Sequence, residues 1–372
     1  MKCFNLFTII TLSSISTIAL GQNKPPRPEM ISIEGDSGAV SLLYPQEKHF
    51  KNIRQLTFGG DNAEAYFSFD GKQITFQATN PKWGEKCDQI FTADWDKTDM
   101  KNSKPSMIST GQGRTTCSYF MPGDTTIVYS STHIASASCP HVPPKRADGK
   151  YVWSIYDSYD IFVADLKGNI LKQLTNTPGY DAEPTVSPKG DKIVFTSLRS
   201  GDLELYTMNI DGSNVKQITS GLGYDGGAFF SPDGSKIIFR SSRPKTEEQI
   251  KTYKDLLAEG LVMPTEMELH ICNADGSDLR QLTSLGKANW APFFHPSGKK
   301  IIFASNHKST RGIPFNLYMI DIDGKNLEQI TFDGFFDSFP MFSPDGKKII
   351  FSSNRNNGGT RDTNLFIADW VD

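Results

Sequence analysis

The chain has 372 residues, of which 37% are hydrophobic and 22% are charged, and its formal net charge is −3 at pH 7. A chain of this length and composition can bury a hydrophobic core, as one large domain or as two ordinary ones. The negative net charge gives no basic footprint for nucleic acid, so we expect no nucleic-acid partner. Beyond the N-terminus no segment is apolar enough to span a bilayer, and we expect no transmembrane segment.

The N-terminus has the features of a secretory signal peptide. Lys2 supplies one positive charge, and an uncharged, mostly apolar run follows over residues 4–20. Ala19 and Gly21 place small residues at the −3 and −1 positions of a cleavage site. We therefore predict a signal peptide over 1–21, an N-terminal extension over 22–49, and a periplasmic or secreted mature protein.

A turn tetrapeptide recurs six times, and each copy is followed by short apolar runs. The copies SFDG, MPGD, SPKG, SPDG, HPSG and SPDG begin at residues 68, 121, 187, 231, 295 and 343. A run such as IIFSSNR comes next, then a run such as NLFIADW, and in most copies a short strand that ends in QLT or QIT. The spacings of 53, 66, 44, 64 and 48 residues, with four strands in each unit, are typical of propeller blades.

Six such units predict an all-β fold, a six-bladed β-propeller of four-stranded antiparallel blades over residues 50–372. One four-stranded sheet cannot bury both of its faces, whereas six sheets arranged radially cover one another and leave few edges. The first QLT begins at Gln55, before any turn tetrapeptide, and the chain ends after the third strand of the last unit. We therefore predict that Asn52–Phe58 supplies the fourth strand of the last blade and closes the ring. The alternative is an open array with a frayed last blade.

The repeated unit, FSPDGxxIxFxSxR followed by LYxxxxDGxxxxQLT, resembles the WD40-like PD40 repeat of TolB-type β-propellers and covers essentially all of residues 50–372. TolB carries an α/β domain ahead of its propeller. Only residues 22–49 precede the first predicted strand, so we expect the TolB N-terminal domain to be absent. The resemblance therefore implies a fold rather than a role in the Tol–Pal envelope system. Similar propellers occur in secreted peptidases, for whose catalytic domain this chain leaves no room, and in oligogalacturonate lyases, which bind a divalent metal through histidines.

Aligning the units on the turn tetrapeptide places one polar residue of each blade at the start of the strand nearest the axis. We call these residues the inner ring: Asn62, Thr115, Asp181, Asp225, Asn289 and Asp337. The ends of the second strands give an outer ring on the same face: Asn80, His133, Arg199, Arg243, His307 and Arg355. Two interpretations remain open. The rings form charge pairs that fix the blade junctions, or they form a polar mouth that binds a cation or a small polar ligand.

Two long connections between second and third strands stand on this same face, which we call the loop face. Ser131–Tyr159 is irregular and rich in aromatic residues, and Pro244–Glu266 contains the helical pattern TEEQIKTYKDLLAEG. Thr246 and Gln249 form a capping-box pattern, and Gly260 marks the end of the helix. The helix is expected to pack on its own blade, or alternatively on a partner, through an apolar stripe of Ile250, Tyr253, Leu256 and Leu257.

Four cysteines lie beyond the predicted signal peptide: Cys87, Cys117, Cys139 and Cys272. Export implies an oxidising compartment, in which disulfides persist. Cys272 lies in an apolar strand pattern and is predicted to be a buried thiol. The other three are placed near the loop face, so we predict a disulfide between Cys139 and either Cys87 or Cys117.

Catalytic motifs of the G-x-S-x-G, H-E-x-x-H, C-x-x-C and phosphate-loop types are absent from the sequence. We therefore predict a non-enzymatic, monomeric, exported propeller whose loop face binds an envelope or extracellular protein, a peptide or a glycan. The predicted ligand-binding residues are the inner ring together with Trp153 and Tyr156, because aromatic side chains often anchor interfaces. No cofactor is expected, and binding of a divalent cation at the channel mouth is kept as an alternative.

The alternative function is a polysaccharide lyase or hydrolase that uses a metal or polar site on the loop face. His133 and His141 share one insertion, and His307 is predicted to lie on the same face. Imidazole is a common ligand of transition metals, so these histidines are the candidates for such a site. The sequence shows no recognisable match to the histidine pattern of the lyases.

Overall fold

The structure, a computed structural model, describes residues 42–310 and 312–372. The strands of these residues form six four-stranded sheets and one separate two-stranded sheet. The predicted signal peptide over 1–21 and most of the predicted extension over 22–49 lie outside the described residues. In the described part of the chain, no helix has the length and the apolar sequence that a membrane span requires.

Each blade is built from the axis outward, and its strands follow one another in that order. The chain begins its regular structure with β1 (Phe50–Gln55). Blade 1 comprises β2 (Asp61–Phe67), β3 (Gln73–Thr79), β4 (Gln89–Asp94) and β5 (Ser106–Met107), with a short 3-10 helix at Pro81–Trp83. Blade 2 comprises β6 (Thr115–Phe120), β7 (Thr126–Ser131), β9 (Asp160–Asp165) and β10 (Ile170–Gln173), and its long connection holds β8 (Trp153–Ser154). Blade 3 comprises β11 (Asp181–Val186), β12 (Lys192–Ser197), β13 (Glu204–Asn209) and β14 (Lys216–Gln217).

The second half of the chain repeats this arrangement three times. Blade 4 comprises β15 (Asp225–Phe230), β16 (Lys236–Ser241), β18 (Glu268–Asn273) and β19 (Arg280–Gln281), and its long connection holds α1 (Glu247–Ala258) and β17 (Leu261–Val262). Blade 5 comprises β20 (Asn289–Phe294), β21 (Lys300–Ser305), β22 (Asn316–Asp321) and β23 (Glu328–Gln329). Blade 6 comprises β24 (Asp337–Phe342), β25 (Lys348–Ser353), β26 (Asn364–Trp370) and β1.

The first strands of neighbouring blades contact one another in the order β2, β6, β11, β15, β20, β24 and back to β2, so the six sheets form a closed ring. The predicted six-bladed fold is confirmed. The core lies between the blades, where each second strand is covered on both faces. The aromatic residue at one register of that strand is wholly buried in every blade: Phe76, Tyr129, Phe195, Phe239, Phe303 and Phe351. This double burial explains why the repeat reads as an apolar run rather than as an alternating pattern.

The QLT motif has a definite structural role at the end of each outer strand. In the last blade, the Thr57 hydroxyl accepts a 2.9 Å hydrogen bond from the backbone N–H of Leu365 in β26. In the other blades a hydroxyl receives the same bond from the third strand, and these hydroxyls belong to Ser109, Thr175, Thr219, Thr283 and Thr331. The hydroxyl thus continues the ladder for one more rung after the outer strand ends.

The ring is closed by the N-terminal strand, as predicted, but the strand is placed slightly earlier than the sequence suggested. β1 pairs antiparallel with β26 from Phe50 opposite Trp370 to Gln55 opposite Phe366, whereas the prediction was Asn52–Phe58. Phe50 is 2% exposed and its ring packs on those of Phe351 and Trp370, which extends the strand toward the N-terminus. The strand ends at Gln55 rather than at Phe58, because Thr57 bonds to β26 through its side-chain hydroxyl instead of its backbone.

The described residues ahead of β1 pack onto blade 6. Glu47 lies against Arg355, with Oε1 2.9 Å from one guanidinium nitrogen and Oε2 3.1 Å from the other. Tyr44 covers the same guanidinium, and its hydroxyl donates a 2.7 Å hydrogen bond to Asp333. Burial raises the pKa of Glu47, and the Arg355 charge offsets only part of this effect. The end of the predicted extension therefore joins the closing blade through buried polar contacts.

The cysteine predictions agree with the structure. Cys87 and Cys139 form a disulfide with a Cα–Cα distance of 6.0 Å, which selects one of the two predicted pairings. Cys272 is a buried free thiol, as predicted, and Cys117 is free and partly exposed. The disulfide ties the insertion of blade 2 to blade 1.

Candidate functional site

The two insertions of the loop face meet each other although they belong to non-adjacent blades. β8 pairs antiparallel with β17, with Trp153 opposite Val262 and Ser154 opposite Leu261. The backbone N–H of Ile155 donates a 2.7 Å hydrogen bond to Gly260, which continues the same ladder. Because β8 comes from blade 2 and β17 from blade 4, the paired insertions cross the face above blade 3.

The helix of the second insertion has the predicted ends. Thr246 and Gln249 form the capping box, and the helix stops at Ala258, with Gly260 in the left-handed region at φ +70°. Tyr253 and Leu256 of the apolar stripe are buried, and Ile250 and Leu257 are partly buried.

The surroundings of the helix differ from the expectation that it packs on its own blade. The Tyr253 hydroxyl donates a hydrogen bond to Asp202 in a connection of blade 3, and its ring joins a cluster with Leu203 and Ile155. No pattern in the sequence indicates this packing, because it depends on the neighbouring blade and on the other insertion.

Below the paired insertions lies an open cavity of about 480 Å³ above the central channel. Its walls are rich in aromatic side chains: Tyr151, Trp153, Tyr156, Tyr159, Tyr180, Tyr224, Trp290, Phe336 and Phe339. Its charged side chains are Glu64, Asp88, Arg114, Glu183 and Arg240. Aromatic walls with a few convergent polar groups are the usual composition of a ligand site.

Trp153 and Tyr156, which the sequence placed among the ligand-binding residues, both line this cavity. The ring of Trp153 packs against that of Trp290 at 5.0 Å between centroids, and the Arg240 guanidinium lies 5.4 Å from the Trp153 ring. The Tyr156 hydroxyl donates a 3.0 Å hydrogen bond to the backbone carbonyl of His141. Both side chains are partly exposed, so they are accessible from the cavity.

The inner-ring residues are buried, whereas residues that line an open channel mouth would be exposed to solvent. All six members are buried, with at most 1% of each residue exposed, and Thr115 is the member that lines the cavity. Three members form ion pairs with the outer-ring arginine of the same blade: Asp181 with Arg199, Asp225 with Arg243, and Asp337 with Arg355. These contacts support a structural role for the rings, although each pair joins two strands of one blade rather than fixing a blade junction as expected. The predicted role of the inner ring in ligand binding stays a prediction.

The three neutral inner-ring residues face neutral outer-ring residues. In blade 1, the side-chain amides of Asn62 and Asn80 both donate to the carbonyl of Gly59, at 2.9 Å and 3.0 Å. In blade 5, the Ser305 hydroxyl donates to Asn289 and lies 2.9 Å from Nδ1 of His307. In blade 2, Thr115 donates to the carbonyl of Asp88, and His133 contacts Ser131. Every blade thus matches charged with charged or neutral with neutral.

The histidines proposed for a metal site do not come together. His133 packs on Phe162 and His307 packs on Tyr318, each within its own blade, and their pKa values are lowered by burial. Among residues 42–310 and 312–372, no group of three or more His, Cys, Asp or Glu side chains is arranged to hold a metal ion.

The first strands of the blades contain a further ring of residues that was not predicted from the sequence. Two positions after each inner-ring residue, the first strand bulges and one residue adopts a positive φ between 45° and 60°. We call these residues the bulge ring: Glu64, Cys117, Glu183, Gly227, Ala291 and Phe339. Glu64, Glu183, Ala291 and Phe339 line the cavity. The residue type at this position changes from blade to blade within an otherwise regular repeat, and this variation is the signal in the sequence that could have indicated the ring.

Glu183 is the bulge-ring carboxylate whose negative charge is stabilised by an ion pair and by hydrogen bonds. It pairs with Arg240 and accepts hydrogen bonds from the Tyr224 hydroxyl and the Thr196 hydroxyl, both at 2.7 Å. Burial raises its pKa, but the charge of Arg240 and these hydrogen bonds more than offset burial, so the pKa lies below its usual value. Gly227 allows the pair to form, because a Cβ there would overlap the Arg240 guanidinium.

The carboxyl group of Glu64 has no ion-pair partner among the described residues. Burial raises its pKa to about 7, and a hydrogen bond with the Cys117 thiol offsets only part of this effect. Its Oε2 atom is buried and has no hydrogen-bond partner among the described residues. A carboxyl group that titrates near neutral pH in a cavity is typical of a functional position.

A smaller opening lies at the other end of the channel, among the SPDG hairpins of what we call the hairpin face. Its volume is about 190 Å³, and its walls are mainly Phe and Pro side chains such as Phe69, Phe229 and Pro232. Charged side chains are absent from its lining in the described residues. The two ends of the channel therefore differ in polarity, and the loop face carries the chemically varied groups.

Comparisons with known proteins agree with this architecture. The sequence model of the TolB beta propeller domain matches residues 139–260. No curated protein sequence matches the chain. A solved structure assigned as TolB from Agrobacterium tumefaciens is similar with a TM-score of 0.54 and 21% identity, over 84% of this chain and 91% of that one.

Two further structures show weaker similarity. TolB from Acinetobacter baumannii has a TM-score of 0.47 and 19% identity over 83% of this chain, which spans 63% of that protein. An oligogalacturonate lyase in complex with manganese has a TM-score of 0.49 and 13% identity, over 86% of this chain and 93% of the lyase. The repeat and the fold confirm the resemblance to TolB-type propellers.

Proposed function

We propose that this TolB-type propeller is an exported, non-enzymatic binding module that takes part of a protein, a peptide or a glycan into the cavity of its loop face. One arrangement carries the proposal. Insertions from two non-adjacent blades pair through β8 and β17 and wall an aromatic cavity of about 480 Å³ over the channel. Long loops on a rigid scaffold commonly carry binding functions, and the pairing holds these two in a fixed relation.

The setting of this module follows from the chain's chemistry. The signal pattern over 1–21 and the Cys87–Cys139 disulfide favour an oxidising compartment, either the periplasm or the exterior. The partner is therefore an envelope or extracellular molecule, and the propeller acts as a monomer. The inner ring contributes mainly by holding the blades, whereas Trp153 and Tyr156 contact the ligand.

The experiment begins with the identification of a ligand. The tagged protein is captured with its partner from the envelope of its own host, and peptide and glycan arrays are screened in parallel. Replacing Trp153 and Tyr156 by Ala is expected to weaken binding of the identified ligand by about tenfold or more, because buried aromatic anchors dominate such sites. Because Trp153 also packs on Trp290, the melting temperature is measured to show that the variant is folded under the conditions of the binding assay.

The matched control is Phe69→Ala, which removes an aromatic ring from the opening of the hairpin face. This variant is expected to keep the wild-type affinity. Wild-type affinity of the Trp153 and Tyr156 variant, together with weakened binding of the Phe69 variant, would place the ligand on the wrong face and end the proposal.

A polysaccharide lyase or hydrolase on the same face is the second candidate, and Glu64 is the observation that favours it. A carboxyl with a pKa of about 7 can donate or accept a proton at neutral pH. The two candidates separate in an assay for new reducing ends or unsaturated products with a panel of polysaccharides. Cleavage that is lost in Glu64→Gln would favour the enzyme over the binding module.

A further inference from the structure

We infer that the ligand of the loop face carries an ammonium group, which the cavity holds between the Glu64 carboxylate and the aromatic walls. The inference rests on the proposed binding function and narrows it to one chemical class. Two independent observations carry it: the charge balance of the cavity, and the way in which the same wall already holds a cation of its own.

The first observation concerns charge. Of the five charged side chains that line the cavity, four form two ion pairs. Asp88 pairs with Arg114 at 2.5 Å, and Glu183 pairs with Arg240. Glu64 is left without a cationic partner among the described residues. The wall therefore carries one net negative charge when Glu64 is ionised, which favours a ligand with one positive charge and disfavours an anion.

The second observation concerns Arg240. Its guanidinium pairs with Glu183 and lies 5.4 Å from the Trp153 ring and 5.0 Å from the Tyr224 ring. A carboxylate combined with aromatic faces is the chemistry that holds organic cations. Glu64 occupies the same bulge register as Glu183, on a different blade, and faces the same cavity without an internal cation. By its register and its missing partner, Glu64 marks a second place at which the cavity would hold a cation, supplied by the ligand.

The other groups around Glu64 do not supply the missing charge. The Cys117 thiol and the Tyr66 hydroxyl stay neutral, because burial raises both pKa values well above their usual range. The cation of Arg240 lowers the pKa of Glu64, but Glu183 and Asp88 act in the opposite direction.

An ammonium ligand would favour the ionised form of Glu64. Binding near neutral pH would therefore release a proton, and affinity for the ammonium ligand should rise between about pH 6 and about pH 8.

The experiment uses the intact mature protein and two matched pairs of probes. One pair is methyl 6-amino-6-deoxyglucoside and its N-acetyl derivative, and the other is Nα-acetyl-lysinamide and its Nε-acetyl derivative, because alkyl amines of this kind keep their positive charge up to about pH 8. In each pair acetylation removes the positive charge and leaves the rest of the molecule in place, so the arms separate an amino sugar from a peptide amine. Affinity is measured by calorimetry and by the intrinsic tryptophan fluorescence, to which Trp153 and Trp290 of the cavity contribute.

At about pH 8, the charged member of at least one pair is expected to bind about tenfold more tightly than its acetylated partner. Glu64→Gln should abolish this preference. The control Glu248→Gln, which removes an exposed carboxylate of α1 on the same face, should keep it. The pH dependence of the wild-type protein gives a second test that needs no variant, since calorimetry in buffers of different ionisation enthalpy measures the released proton directly.

Equal binding of charged and acetylated probes would overturn the inference while leaving the binding function intact. A preference for the charged probe that survives in Glu64→Gln would overturn it as well, because Glu64 would not be the partner. If neither charged probe binds at millimolar concentration, the inference fails, and the loop-face variants with the identified ligand still decide the binding function separately.

Discussion

At the scale of single residues, the loop face is organised by matched polar contacts that repeat in every blade. Asp faces Arg in blades 3, 4 and 6, and neutral residues face one another in blades 1, 2 and 5. A buried carboxylate opposite a neutral partner would lack compensation for its lost hydration. The matching therefore indicates that the inner and outer rings are constrained by folding within each blade.

The Asp225–Arg243 pair gives a direct test of this constraint. Asp225 is 0% exposed and its two oxygens lie 2.6 Å and 2.8 Å from the guanidinium nitrogens. Asp225→Ala leaves Arg243 partly buried without its carboxylate, so we expect the free energy of unfolding to fall by about 3 kcal/mol. Urea unfolding measures the change, and removal of both partners should cost less than the two single changes combined.

The control for this prediction is Lys325→Ala, which breaks only an exposed pair with Asp323 and should have no measurable effect. If Asp225→Ala unfolds at the same urea concentration as the wild-type protein, the ring does not fix the blades, and its role as a ligand site gains support.

At the scale of elements, the sequence predicted the repeating parts well and the non-repeating parts poorly. Six copies of one pattern were sufficient for the blades, because each position of the repeat is read six times. The bulge ring was missed, since Glu64, Cys117 and Gly227 share a backbone conformation but no chemistry. The position of α1 was also beyond the sequence, because Tyr253 contacts Asp202, which belongs to another blade.

The closing strand is the element on which the ring depends. Removal of the chain through Phe58 leaves β26 as an unpaired edge and uncovers Phe351 and Trp370, on which Phe50 packs. We expect this variant to melt at a lower temperature or to aggregate, because exposed edge strands pair with other chains. Differential scanning calorimetry and light scattering measure the two outcomes.

A chain that begins at residue 42 is the matched control for this truncation, since it keeps β1 and the contacts of Tyr44 and Glu47 with blade 6. It should melt at a clearly higher temperature than the chain that lacks residues through Phe58. An unchanged melting temperature in the longer truncation would contradict closure by β1.

At the scale of the whole molecule, the loop face is a continuous structure that links separate blades. The Cys87–Cys139 disulfide joins blade 1 to the insertion of blade 2, which pairs with the insertion of blade 4. That insertion contacts blade 3 through Tyr253 and blade 5 through Pro264, whose carbonyl accepts a 2.9 Å hydrogen bond from Trp290. The two insertions are therefore positioned by contacts with five blades, which explains how irregular loops can form a defined site.

The disulfide is the covalent part of this arrangement, and thiol counting tests it. The mature protein, unfolded without reduction, should show two free thiols, Cys117 and Cys272. Cys117→Ser should show one, whereas Cys139→Ser should show three, because Cys87 loses its partner. A count of four free thiols in the wild-type protein would contradict the disulfide.

Loss of the disulfide should also loosen the site more than the propeller. Chain-entropy arguments give about 4 kcal/mol for a closed loop with a sequence separation of 52 residues. Because Cys139 anchors the irregular part of residues 131–159 to blade 1, we expect Cys139→Ser to be cleaved faster there by a protease than the wild-type protein. The Cys117→Ser protein, which keeps the cross-link, should be cleaved at the wild-type rate. Equal cleavage of both variants would mean that β8, β17 and α1 hold the loop face without help from the disulfide.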